Sequence, residues 1–230
     1  MTDTAHSNHI ECIQKIIRGR ASVRAFRPDP VPDHIIREIF ELAQWSPSNC
    51  NTQPWTVYVL GGAIRKRLTD TLIAAAVDGH KPDIPYNLHF YPSHFKKRQL
   101  DHVICQYKAL GISREDKTAR LEWMRANLSS FGAPHVALLY MPRFGNAREA
   151  GDIGIYAQTL MLALSAYGLG SCAQTMLGLF AVPIREMLNI PNDLKLMFGI
   201  AFGYEDKTST ASRLTQSRAP LDISVKMLGC

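Results

Sequence analysis

The sequence lacks the features of a secreted or disulfide-linked protein. Its first residues, MTDTAHSNHIECIQK, include no apolar stretch of the kind that forms the core of a signal peptide. The cysteines are odd in number and widely spaced, without a C-x-x-C pair; they are Cys12, Cys50, Cys105, Cys172 and Cys230. We therefore expect a protein of the reducing cytoplasm with free thiols.

Charged residues are missing from one long apolar stretch, Ile153 to Ile184. The stretch is long enough to suggest a membrane span. However, Gln158 interrupts it, and Gly168 and Gly170 lie in its middle. We interpret it as a buried helix that ends at Gly168 and is followed by a short strand, and we expect no membrane association.

Motifs for hydrolysis and metal binding are also missing: there is no H-E-x-x-H, no G-x-S-x-G and no Walker loop. His80, His89, His94 and His102 fall in one short region, but no pair has the spacing of a helical zinc site, and we expect loop residues. Cys172 has no neighbouring histidine to activate it as a nucleophile. An enzyme without these groups would obtain its chemistry from an organic cofactor.

The length of 230 residues suits a single domain spanning 1–230. Apolar periodicities predict an α+β fold in which helices cover a sheet. The predicted helices are 10–18, 34–45 after an Asp33 cap, 63–77, 114–128 after a Ser113 cap, 152–167 and 182–188; the predicted strands are 55–60, 135–141, 171–174 and 194–202. Prolines and glycines predict an irregular excursion over about 78–113, and the tail from 207 resembles an arm.

A basic cluster lies near the N-terminus, where no acidic residue occurs between Glu11 and Asp29. Its members are Lys15, Arg18, Arg20, Ser22, Arg24 and Arg27. It fits a solvated basic face, or a phosphate site in which guanidiniums and a hydroxyl converge on one dianion. A nucleic-acid site would continue the cluster elsewhere with exposed aromatics or a recognition helix. Neither is evident, although the formal charge of +6 permits an anionic partner.

The segment Ser46 to Trp55, SPSNCNTQPW, is rich in turn formers and side-chain amides. It is either an ordinary surface loop or a row of donors and acceptors suited to the edge of a planar heterocycle such as a flavin. A literal G-x-G-x-x-A at Gly168 to Ala173 is weak evidence for a dinucleotide site, because a helix and not a strand precedes it. Gly168 fits better as a left-handed helix C-cap.

Several motifs together resemble the nitroreductase family. They are RASVRAF at 20–26, PSNCNTQPW at 47–55, GDIG at 151–154, GLGSC at 168–172, FGIAFGY at 198–204 and SRAP at 217–220. Only about 78–147 has no counterpart. The resemblance implies an FMN-dependent, homodimeric NAD(P)H oxidoreductase with a mixed sheet between helices. It also implies that two protomers intertwine by exchanging their C-terminal arms.

The resemblance also implies roles for individual residues. Arg20, Ser22 and Arg218 would hold the FMN phosphate, and Arg24 would lie along the pyrimidine edge; the other expected cofactor-binding positions are Ala21, Pro47, Ser48, Asn49, Asn51, Ala173, Gln174, Thr175 and Gln216. The 47–51 residues would come from the other protomer. Two positions depart from many relatives: Asn49 replaces a serine, and Gln216 replaces a lysine near the phosphate.

The implied reaction is ping-pong hydride transfer from NAD(P)H, through flavin N5, to a nitroaromatic, a quinone or a related acceptor. Tyr86, Phe90, Tyr91 and Phe95 either cap the acceptor pocket or form a small satellite core. Alternatives are a flavin-binding storage or sensory protein without turnover, and a dehalogenase or enone reductase of the same fold.

Overall fold

The computed structural model describes residues 2–84, 91–212, 214 and 216–229. Within these residues the chain forms α-helices, short 3-10 turns and one four-stranded sheet. The helices are α1 (Thr2–Gly19), α2 (Asp33–Ala43), α3 (Gly62–Val77), α4 (Ser93–Ala109), α5 (Lys117–Leu128), α6 (Ala147–Ala166), α7 (Ala181–Leu188) and α8 (Leu221–Ser224). The strands are β1 (Thr56–Leu60), β2 (His135–Pro142), β3 (Gly170–Gln174) and β4 (Leu194–Gly203).

The strands lie in the order β1-β2-β4-β3, and all three pairings are antiparallel. A single parallel bridge joins Ser22 to Ser171 of β3. Both central strands are buried along most of their length, which explains the apolar runs HVALLYM and LKLMFGIAFG. The predicted α+β class is confirmed.

Two apolar layers enclose the sheet. On one face α2 and α6 pack through residues such as Ile39, Tyr156 and Leu160; on the other, α3 and α7 pack through Leu72 and Ile184. Helix α6 is the predicted buried helix. No helix within the described ranges is long and apolar enough to cross a membrane.

Gly168 ends α6 as expected. Its φ is +74°, and the following N–H of Leu169 donates to the carbonyl of Leu164 at 2.9 Å. This six-residue closure is the Schellman arrangement, which favours glycine because a side chain is strained in the left-handed region.

Two predicted helix caps are wrong. Asp33 is the first residue of α2 and Pro32 precedes it, so the helix begins without a side-chain cap. Asp116, not Ser113, caps α5 by accepting the N–H of Ala119 at 2.9 Å. Ser113 instead accepts the N–H of Asp116, because α5 begins three residues later than the sequence pattern suggested.

The expected irregular excursion contains a regular helix. Helix α4 occupies Ser93–Ala109 directly after Pro92, whose fixed φ suits a helix start. His94 and His102 therefore lie on a helix and not in a loop, and His102 becomes important below.

Candidate functional site

The basic cluster reaches the sheet through an extended segment that follows α1. The N–H of Val23 donates to the carbonyl of Ser171 in β3, and the N–H of Arg24 donates to the carbonyl of Ser212 in the tail, both at 3.0 Å. Gly170 makes this approach possible, because a Cβ there would stand 2.9 Å from the Val23 side chain. Gly168 thus ends α6, and Gly170 allows the segment around Val23 to approach β3 closely.

Around this segment the chain encloses a cavity of about 350 Å³. Its lining comprises Arg18, Gly19, Arg20, Ala21, Ser22, Arg24, His102, Leu214, Gln216 and Arg218. The predicted residues Arg20, Ala21, Ser22, Arg24, Gln216 and Arg218 are therefore brought together, although almost 200 residues separate the two ends of the set. The volume lies in the range of small-molecule sites.

Positive charge dominates this cavity, whose described lining contains four arginines and no carboxylate. Burial and the nearby guanidinium of Arg218 lower the pKa of Arg20. Arg24 donates through Nη1 to the carbonyl of Ser22 at 3.2 Å, and Arg218 donates to the carbonyl of Gln216 at 3.1 Å. Crowded guanidiniums without a counter-charge create a site for an anion.

Gln216 provides an independent sign that a ligand belongs in this cavity. Its Nε2 atom is buried and has no hydrogen-bond partner in the described part of the chain. A buried amide donor without an acceptor is costly, and a phosphate oxygen would satisfy it. The residues present therefore fit the FMN phosphate, and glutamine can replace the lysine of many relatives as a neutral donor.

The cofactor-binding residues expected from the sequence leave out four members of the lining, Arg18, Gly19, His102 and Leu214, although Arg18 does belong to the predicted basic cluster. Arg18 is the last basic residue of α1, and His102 comes from α4. His102 could have been found only after α4 was recognised, since it lies one turn before the buried Gln106 on the same helix face.

The loop residues Pro47, Ser48, Asn49 and Asn51 do not line this cavity. Their loop is held by its own hydrogen bonds: Ser48 Oγ accepts the N–H of Gln53 at 2.9 Å. Cys50, Asn51 and Gln53 have φ values of 50°, 55° and 45°. Such left-handed backbone in non-glycine residues is uncommon and often marks functional loops.

Asp152 anchors this loop to the start of the central helix. Its carboxylate is buried, and its Oδ1 and Oδ2 lie 3.2 and 3.3 Å from the backbone N of Asn49, which donates to them. Sequence reasoning placed Asp152 in a motif but gave it no role. The sequence did carry a sign of this role, because Asp152 is an acidic residue on the same apolar stripe of α6 as Tyr156 and Leu160.

The end of strand β3 offers two exposed residues. Ala173 of β3 and Thr175, directly after the strand, are exposed, whereas the buried Gln174 donates through Nε2 to Asn127 Oδ1 at 2.7 Å. Ala173 and Thr175 thus remain open to a ligand, and the side chain of Gln174 points to α5. Burial raises the pKa of the Cys172 thiol despite the opposing effect of Arg24 and Arg20, which agrees with the expectation that Cys172 is not a nucleophile.

Of the aromatic residues assigned to the acceptor pocket, Tyr86 and Phe90 lie outside the described residues. Tyr91 and Phe95 are about half exposed, with ring centroids 6.4 Å apart. The guanidinium of Arg98 lies 5.8 Å from the centroid of the Phe95 ring. These two aromatics form an open cluster at the start of α4 and not a packed core.

Fold and cavity together define an α+β protein with a cationic cavity beside β3, an edge strand of its sheet. The Nitroreductase family model matches residues 17–204. Nitroreductase NfnB of Mycolicibacterium smegmatis is 43% identical over 92% of this chain and 90% of its own length. A 4-nitrobenzoate reductase of Nocardioides is 33% identical over 95% of this chain and 91% of its own length.

Solved structures give the same result. The crystal structure of the FMN-dependent nitroreductase NfnB from Mycobacterium smegmatis with NADPH superposes with a TM-score of 0.91 at 41% identity, covering 95% of this chain and 99% of that one. The crystal structure of the FMN- and NADPH-dependent nitroreductase NfnB from sphigopyxis sp. strain HMH also has a TM-score of 0.91, at 30% identity over 94% of this chain and 99% of that one. The chain belongs to the nitroreductase family.

Proposed function

We propose that this protein is an FMN-dependent NAD(P)H oxidoreductase that reduces nitroaromatic, quinone or related acceptors. The cavity lined by four arginines and the unpartnered Gln216 Nε2 carries this proposal, because it offers an anion site with nothing in the described chain to neutralise it. The names of the relatives, which include nitroreductases and 4-nitrobenzoate reductases, support the choice of acceptor.

In the proposed holoenzyme, Arg20, Ser22, Gln216 and Arg218 hold the FMN phosphate. Arg24 lies beside the pyrimidine edge, and Ala173 and Thr175 pass behind the ring. When bound, FMN supplies hydride acceptance from NAD(P)H at N5 and hydride delivery to the acceptor. The chain's own residues bind and orient the rings, and the positive charge of Arg24 favours the negative charge that reduction places on the cofactor.

Two protomers are needed to complete the proposed site. The loop at 47–51 lies outside the cavity of its own chain, so we assign it to the cavity of a partner. Exposed apolar residues support a homodimer: α1 exposes Ile13 and Ile17, and α6 exposes Ile155.

The tail supports exchanged arms. Within the described chain β1 pairs on one edge only, with β2, and a groove of about 890 Å³ runs along α2 and β1. Several apolar side chains of the tail are exposed in the single chain; they are Leu221, Ile223, Val225, Met227 and Leu228. A partner's tail would cover an otherwise open strand edge.

The acceptor is proposed to enter beside α4, where Tyr91 and Phe95 provide exposed aromatic surface. The lining that the structure describes includes no carboxylic acid, so we propose that water protonates the product. We further propose that the protein works in the cytoplasm, since Cys12, Cys50 and Cys172 are free thiols.

Steady-state kinetics tests the proposal. The purified protein should consume NADPH or NADH only when an acceptor such as 4-nitrobenzoate or a benzoquinone is present. Because both substrates would use one pocket in turn, double-reciprocal plots should give parallel lines. Bound flavin without turnover would instead favour a storage or sensory protein, and intersecting lines would exclude the shared pocket.

A further inference from the structure

Helix α4 is held loosely to the rest of the molecule. Gln106 is its one buried residue, whereas Leu100 and Ile104 are 57% and 56% exposed. Few buried contacts mean a low free energy of local opening. A ligand that contacts this helix would therefore change its stability more than it would change that of the sheet.

One residue of α4 reaches the cationic cavity. His102 lines it together with Arg18 from α1, Arg20 and Arg24 from the extended segment that follows α1, and Arg218 from the tail. Neither ring nitrogen of His102 has a hydrogen-bond or ion-pair partner among the residues that the structure describes. On its own helix the nearest acid, Asp101, is paired with Lys97 at 2.8 Å, so no carboxylate competes for the ring.

Imidazole carries at least one N–H donor in either protonation state. An unpartnered donor beside four guanidiniums is suited to a phosphate oxygen, and no acceptor among the described residues is hydrogen-bonded to the ring. We propose that His102 donates a hydrogen bond to the cofactor phosphate and so makes α4 a sensor of the phosphorylated flavin. This inference rests on the proposed function.

The position of His102 gives the contact a second consequence. Phe95 lies seven residues earlier, on the same face of α4 and about 10 Å away along the helix axis. Fixing His102 on the phosphate would therefore also fix the helix that carries Phe95 and begins two residues after Tyr91. Cofactor loading and the shape of the acceptor side would then be coupled through one rigid element.

Comparison of FMN with riboflavin isolates the phosphate contact. Apoprotein is titrated with each flavin, and quenching of flavin fluorescence gives the two dissociation constants. His102→Ala should weaken FMN binding about ten- to hundredfold, the range for a hydrogen bond to a charged group. Riboflavin binding should change less than about twofold, since riboflavin has no phosphate.

Two variants keep the test specific. His102→Gln retains an N–H donor and should restore part of the FMN affinity. His94→Ala removes a histidine from the same helix outside the cavity and should alter neither constant. Hydrogen exchange gives a second measurement: FMN, but not riboflavin, should slow exchange across 93–109 in the wild type, and His102→Ala should abolish this difference.

The outcomes separate the two proposals. Equal losses for FMN and riboflavin, or no loss in His102→Ala while the wild type binds FMN, would overturn the role of His102 and leave the proposed function intact. A wild-type protein that binds neither flavin would overturn both.

Discussion

Asp152 and Asn49 join the central helix to the loop that is expected to reach a partner's flavin. Both carboxylate oxygens of Asp152 accept the backbone N–H of Asn49, at 3.2 and 3.3 Å. The carboxylate is buried and has no other hydrogen bond within the described residues. Its position on α6 therefore fixes the middle of the loop at 47–51.

Removing this anchor should weaken cofactor binding. Asp152→Ala deletes a hydrogen bond with a charged acceptor, worth roughly 1.5–3 kcal/mol, so we expect FMN affinity to fall about tenfold or more. Asp152→Asn keeps an acceptor oxygen and should recover much of the affinity. Flavin fluorescence titration measures the effect.

Glu149→Ala is the matched control on the same helix. Glu149 completes the capping box of α6 with Asn146, so its loss should cost about 0.5–2 kcal/mol of stability while FMN affinity is kept. If both variants lost FMN equally, Asp152 would act through helix stability and not through the loop.

Arg24 should tune the reduction potential of the bound cofactor. Arg24→Ala removes a positive charge from the cavity, so the negative charge gained on reduction is less stabilised. We expect the potential to fall by about 30 mV or more, equivalent to about 1.4 kcal/mol for two electrons. Reduction by NADPH should also be slower in a stopped-flow experiment.

Arg27→Ala serves as the control for this prediction. Arg27 lies on the same segment but outside the cavity, paired with Asp29 at 2.8 Å. An Arg24→Ala protein with the wild-type potential would show that Arg24 does not lie beside the pyrimidine ring.

The exposed tail should contribute to dimer stability. Ile223→Asp places a charge on an apolar side chain that is 58% exposed in the single chain and that a partner is proposed to bury. Burial of an unpaired charge is strongly unfavourable. The dissociation constant of the dimer should therefore be about tenfold higher, or more, in the variant than in the wild type. Analytical ultracentrifugation measures this, and Ser224→Asp is the matched control. If the two variants dimerised with equal affinity, the proposal that the protomers exchange C-terminal arms would be wrong.

His135 should make the fold sensitive to mild acid. Its buried Nε2 accepts the N–H of Val31 at 2.9 Å. Burial lowers the pKa of His135, and Asp33 opposes the change. His135 therefore binds a proton more readily in the unfolded chain than in the folded one. Its contribution to the free energy of unfolding is greatest above about pH 6.5 and declines as the pH falls below that value.

Denaturant unfolding at pH 7.5 and at pH 5.5 tests the contribution of His135. His135→Gln keeps an acceptor without a titrating group, and it should lose less stability between the two pH values than the wild type. An identical loss in the two proteins would assign the acid sensitivity to other groups.

Much of the fold could be predicted because its signals are local. The central strands read as apolar runs, and Gly168 marks the end of α6 by its conformational freedom. Helix α4 gave no such signal: its apolar residues Leu100 and Ile104 face solvent, so the sequence shows no single buried stripe.

The candidate site was only partly predictable for the same reason. Arg20, Ser22 and Arg24 form a local cluster that the sequence displays directly. Gln216 and His102 join them only through the tertiary structure, which brings the tail and α4 to the end of α1. The Asp152–Asn49 bond likewise depends on packing across about 100 residues of chain and not on any spacing.

The FMN content of the purified protein tests the central claim most directly. We expect a yellow wild-type protein with about one FMN per chain, and an Arg20→Ala protein that keeps its circular dichroism spectrum but loses most of its flavin. Arg125→Ala, which removes an exposed arginine outside the cavity, should keep the wild-type content. A colourless wild-type protein that takes up no added FMN would contradict the account.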